Sequence, residues 1–188
     1  MQQTPGKSCG PFLFLLIVAV ALASPALSRI QGEQPPPKGN GQKMTFATGG
    51  PVTLGSEPTR AVLQANQLTS KLEALRPNQR IYLVLRDMHA AEQPGILYHV
   101  YIGLPEAATP EKNDFRYLGM LNFFNAVPLE SGASSSRSIF RSYDATPVFK
   151  ALQQRNELSD RITVTFVPSG TPAANAKASI GQLEIVEQ

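Results

Sequence analysis

The sequence predicts an all-β domain: an antiparallel β-sandwich or jelly-roll-like pair of sheets with one or two short helices. Three observations predict it. Apolar and polar residues alternate along Arg80–Asp87, Ile96–Leu104, Arg161–Val167 and Ala178–Val186, which is the period of half-buried strands. Glycine and proline clusters such as Gly49-Gly50-Pro51 and Gln93-Pro94-Gly95 separate these runs. Helical spacing is confined to two short stretches, and strand-like runs occur in both halves of the chain at no fixed repeat.

The domain is expected over residues 44–188. Ahead of it, Phe12–Ala23, "FLFLLIVAVALA", is an unbroken apolar run of twelve residues behind a polar start carrying Lys7. The small residues Ala21 and Ala23 close the run, and Ser24, Ala26 and Ser28 follow. That order is the pattern of a secretory signal peptide, expected over residues 1–28. Twelve helical residues reach about 18 Å, short of a ~30 Å hydrocarbon core, so no membrane anchor is expected after cleavage. The product is expected to be exported, periplasmic or secreted. Residues 29–43, "RIQGEQPPPKGNGQK", are rich in Pro, Gly and Gln and are expected to be a disordered linker.

Cys9, the one cysteine, leaves with the leader. Thiolate catalysis and cysteine metal sites are thereby excluded from the mature chain. Removing residues 1–28 takes away only Lys7 among the charges, leaving 16 basic against 14 acidic residues. The bases are scattered with no run of four. Nucleic-acid binding needs a clustered cationic footprint and is not expected.

The elements follow in order. "MTFAT", "VTL" and "RAVLQ" are short strand candidates. Asn66–Leu75 places Leu68, Leu72 and Leu75 on one helical face, limited by Pro77, and this helix should plug one end of a sheet. Arg80–Asp87 and Ile96–Leu104 are expected to pair as an antiparallel hairpin across the intervening turn. Arg116–Phe124 is a further strand and Asn125–Ser138 a loop by composition. Thr146–Arg155 is a second short helix, capped by Thr146, opened by Pro147 and packed through Val148, Phe149 and Leu152. Arg161–Val167 and Ala178–Val186 complete the set, with Gly181 expected at a bulge.

The chemistry-bearing residues are sparse. In the expected hairpin the two histidines, His89 and His99, stand roughly 10 Å apart along the strands, too far to share a metal. Met88 and His89 are adjacent, and thioether plus imidazole is a donor set for copper, so the pair is a candidate metal site. No Gly-x-Ser-x-Gly elbow is present, Ser134–Ser136 lie in a loop, and Glu106, Glu111 and Asp114 form no paired carboxylates. An enzyme is not expected. Aromatic residues crowd the middle third. Phe123 and Phe124 are consecutive, and neighbours in a strand point to opposite faces, so one of them should point outward unless the strand ends there; the outward ring is either a contact for a partner or is buried under the following loop.

"RIYLVLRDMHAAEQPGILYHVYIGLP", "RYLGMLNFF", "YDATPVFKALQQRNELSDRITVTFVPSG" and "ASIGQLEIV", in that order, resemble the C-terminal domain of tyrosinases and polyphenol oxidases. The resemblance runs from about Pro51 to the end of the chain and lies in the ordered set rather than in any single motif. It implies a β-sandwich that packs over a dicopper domain and keeps the enzyme latent until it is removed. The copper ligands of that family belong to the helical domain with six histidines, which this chain lacks. Two departures stand out. The module is expected to stand behind its own leader, and its Asn125–Ser138 loop has no histidine where the family is often histidine-rich.

The expected function is an exported, non-catalytic interaction module that covers or regulates a separate tyrosinase-like copper oxidase. Phe123, Phe124 and Leu129 match the shielding region. The alternatives are a ligand-binding sandwich, lectin-like or lipid-binding, and a copper carrier through Met88 and His89.

Overall fold

The computed structural model describes residues 44–126 and 139–188. The expected leader and linker, and Leu129, lie outside them. Nine strands and two helices occur among the described residues. In chain order they are β1 (Met44–Gly49), β2 (Val52–Thr53), β3 (Thr59–Ala65), α1 (Leu68–Glu73), β4 (Ile81–His89), β5 (Tyr98–Ile102), β6 (Tyr117–Leu121), β7 (Arg141–Asp144), α2 (Thr146–Gln154), β8 (Arg161–Pro168) and β9 (Ser179–Glu187).

The all-β antiparallel class is as expected, and the strands form one continuous sheet. Its order is β6-β5-β8-β3-β1-β9-β4-β7, with β2 added to β9. Every strand pairing among the described residues is antiparallel. The sheet rolls until its two end strands meet. The Tyr143 hydroxyl on β7 donates to the Met120 carbonyl on β6 at 3.1 Å. Gly119 makes the approach possible: its φ is +151°, and a Cβ there would stand 3.3 Å from the Tyr143 ring.

Alternation explains which side of the sheet each residue takes. Leu63 on β3, Ile81, Leu83 and Leu85 on β4, Tyr98, Val100 and Ile102 on β5, Ile162, Val164 and Phe166 on β8, and Ile180, Leu183 and Ile185 on β9 fill one core. Both helices close the end of the roll at which β3 and β7 finish and β4 and β8 begin. α1 buries Leu68 and Leu72, and its Leu68 N–H donates to the Asp160 carboxylate at 2.8 Å. α2 buries Val148, Phe149 and Leu152 behind its early proline, as its spacing predicts.

Three expectations are corrected. β4 and β5 do not form a hairpin: β4 lies between β7 and β9, and β5 between β6 and β8. The link between them is too long for a tight turn and is spent on other partners, with the Ala90 and Ala91 N–H groups donating to the Ala126 and Ala176 carbonyls. Thr146 is not the cap of α2. Its Oγ1 accepts from the Ile81 N–H at 2.8 Å, while the Asp144 carboxylate accepts from the Thr146 N–H at 2.9 Å. Gly181 is not a bulge, because β9 runs in register with β4 from Gln182 to Ile180. It is a close-approach glycine, and a Cβ there would lie 2.8 Å from that of Asp87, which itself has φ 52°.

Candidate contact face

The other end of the roll, away from the helices, carries the candidate site. β6 ends at Leu121, and Phe123–Ala126 turns, with the Ala126 N–H donating to the Phe123 carbonyl at 2.9 Å. The two phenylalanines then part. Phe123 is 2% exposed and sets its ring edge-on to Tyr98, centroids 6.1 Å apart. Phe124 is 70% exposed. One ring is inward and one outward, but the strand expected to separate them ends at Leu121, and the turn does the separating.

The turn is held from below by the β4–β5 link. Gln93 Nε2 donates to the Phe123 carbonyl at 3.2 Å and to the Phe124 carbonyl at 2.9 Å. The Ala90 N–H donates to the Ala126 carbonyl at 3.0 Å, and two residues earlier the Met88 N–H donates to that of Ile139 at 3.2 Å. Ala126 and Ile139 are thus both held at the end of β4. Beside Ile139, Phe140 is 56% exposed, and Met120 on the outer side of β6 is 53% exposed. β6 and β7 run antiparallel across the seam, so stepping back from Tyr143 to Phe140 reaches the level of Asn122 and Phe123. Met120, Phe124 and Phe140 therefore share the seam and one end of it. They are three of the five large hydrophobics exposed among the described residues, and such grouping is what distinguishes a contact face from scattered exposure.

The metal candidates are not brought together. Met88 is buried in the core and His89 is exposed, because neighbours in β4 face opposite ways. His99 sits on β5, which does not neighbour β4. Its Nδ1 lies 3.3 Å from the Tyr117 hydroxyl, and burial, then the Lys112 charge, holds its pKa below the usual imidazole value. The imidazole lies in a polar-aromatic patch with Tyr117, which in turn packs on Tyr101. No group of three or more His, Cys, Asp or Glu side chains able to hold a metal occurs among the described residues.

Sequence reasoning missed Gln93, Met120 and Phe140. Phe140 is the nearest to legible, since it is an aromatic directly after a loop. Also unforeseen is a cleft of about 300 Å³ at the helix-capped end, floored by Ile102, Phe149 and Leu152 and edged by Arg60 and Arg161. Arg60 is spent there on the Leu104 and Pro105 carbonyls, at 2.8 and 2.9 Å.

Fold and face together define an antiparallel, rolled β-domain with a projecting aromatic rim. The chain belongs to the family described as Domain of unknown function (DUF7868), whose model matches residues 43–188. No curated protein matches it. Among solved structures it is similar to latent apple tyrosinase, at 17% identity and TM-score 0.46, over 73% of this chain and 27% of that one. It is also similar to a recombinant latent aurone synthase (polyphenol oxidase) co-crystallised with hexatungstotellurate(VI), at 15% identity and TM-score 0.47, over 72% and 24%. Latent aurone synthase from its natural source matches at 14% identity and TM-score 0.44, over 72% and 25%. The chain spans about a quarter of the length of these structures.

Proposed function

We propose that this protein is a non-catalytic interaction module that covers or regulates a separate, tyrosinase-like copper oxidase. The observation that carries the reading is Phe124: a phenylalanine 70% exposed on a turn whose two carbonyls are both fastened from beneath. A large apolar ring held in water by structure costs solvation unless something covers it, and aromatic residues so placed are the usual anchors of an interface. The ordered strand set that resembles the C-terminal domain of tyrosinases supplies the partner class. The mechanism is steric: the ring enters the partner's substrate opening while Met120 and Phe140 seal around it. The copper and its ligands are the partner's. A stable complex of this kind buries ~1,600 Å².

The test is inhibition in trans. The full chain is added to a tyrosinase trimmed to its catalytic domain, and diphenol oxidation is followed. Saturable inhibition, lost on Phe124→Ala, is the expected result. Undiminished oxidation at tens of micromolar, with no crosslinked copper oxidase in the native fraction, would overturn the reading. The cleft edged by Arg60 and Arg161 favours a second reading, a small-ligand domain, for which ligand-induced thermal stabilisation is the readout. For the copper-carrier alternative, Met88 and His89 face opposite ways from β4 and form no converging pair.

A further inference from the structure

We infer that Gln93 is a positioning residue for the contact face, setting the direction of Phe124 through the peptide groups on either side of it; this rests on the reading of Phe124 as the contact. The side chain is placed to do so. Its segment is tied to the opposite loop, with the Ala91 N–H donating to the Ala176 carbonyl at 2.7 Å and the Ala173 N–H to the Pro94 carbonyl at 2.9 Å. The Asn175 N–H also donates to the Glu92 carboxylate at 3.1 Å. From that fixed base a single amide nitrogen reaches two successive carbonyls, those of Phe123 and Phe124. An amide NH₂ has two donors, so both bonds are met at once. Phe123 is anchored independently by Tyr98, and Ala126 by Ala90. The Phe124–Asn125 peptide is the part of the turn that neither anchor holds. Gln93 holds it.

A carboxylate of the same shape accepts only, and it faces two carbonyl oxygens with no proton to offer. Gln93→Glu therefore removes both bonds and adds repulsion at constant size. Gln93→Arg restores N–H donors at similar reach.

The experiment is native-state proteolysis of the full chain with chymotrypsin, which cuts after aromatic residues. Mass spectrometry follows cleavage after Phe124 and, as an internal reference, after Phe140, whose backbone is on the far side of the seam beside Ile139. Protease access requires the turn to open, so the rate tracks local stability. Gln93→Glu is expected to raise the Phe124 to Phe140 cleavage ratio roughly thirty-fold, as two hydrogen bonds of ordinary net strength imply. The thermal midpoint should stay at the wild-type value, and Gln93→Arg should bring the ratio most of the way back. An unchanged ratio overturns the inference. So does a ratio that rises only together with a fall in thermal midpoint and faster cleavage throughout the chain. No partner enters the assay, so its failure removes Gln93 from the site without touching the inhibition reading, which fails only in its own experiment.

Discussion

Tyr143 and Met120 close the sheet: a phenol on one end strand donates to a backbone carbonyl on the other at 3.1 Å. This is a side-chain latch in place of a ladder. Burial pushes the Tyr143 hydroxyl up to about 12, with Arg141 pulling the other way and Tyr117 adding to the rise. The folded value lies above the unfolded value of 10.0, so the folded chain binds the proton more tightly. The resulting stability is full below pH 10 and is lost as pH rises from 10 towards 12. Tyr143→Phe should lower stability near neutrality by about 1 kcal/mol and flatten the alkaline fall in stability. Tyr98 and Tyr101, also raised by burial, keep part of that fall. Urea unfolding from pH 8 to 11.5 measures both effects.

Phe123 and Phe124 should separate stability from association. Phe123→Ala empties a buried, edge-packed site and is expected to cost about 3–5 kcal/mol. Phe124→Ala touches an exposed ring and should stay within ~0.5 kcal/mol of wild type while abolishing inhibition of a copper oxidase. Denaturant midpoints of the two variants, beside the oxidase assay, decide it. Equal destabilisation by both would sink the division of labour.

Gly181→Ala should destabilise by about 1–3 kcal/mol, because the new methyl meets Asp87 Cβ at 2.8 Å across paired strands. Asp87→Gly removes that Cβ and relieves the positive φ. The Gly181→Ala penalty should therefore shrink in the Asp87→Gly background, and a double-mutant cycle reads the coupling directly.

Thr146→Val keeps shape and deletes the hydroxyl that accepts from the Ile81 N–H in a fully buried setting. The orphaned donor is expected to cost about 1–3 kcal/mol. Thr146→Ser should keep most of the stability. If valine and serine behave alike in thermal melts, the bond contributes nothing.

What the chain made legible in advance was periodicity. Ile162, Val164 and Phe166 alternate in the sequence and alternate into the core. Leu68 and Leu72, spaced by four, face inward from a helix. Pairing was another matter. Arg80–Asp87 and Ile96–Leu104 look like a hairpin because adjacent alternating runs usually pair, but local pattern says nothing of the Ala126 and Ala176 carbonyls that claim the link between them. β7 went unseen, since "RSYD" is short and half polar and becomes a strand only beside β4. Phe123 and Phe124 were legible only as a pair: strand alternation would put one ring outward, but β6 ends at Leu121 and it is the turn, not the strand, that exposes Phe124. Gln93 was not legible: a glutamine before Pro-Gly reads as turn filler, and only the fold shows which carbonyls it reaches.

The order of the sheet bears on how the protein comes into being. β9, the last strand, lies between β1 and β4 and also carries β2. β1 and β4 are thus joined through a strand far from both in the sequence. Until Ser179–Glu187 is seated, the roll presents two raw strand edges, which are the surfaces most prone to mispairing. Pairing between such sequence-distant strands is slow, so the seating of β9 sets the pace at which the domain closes.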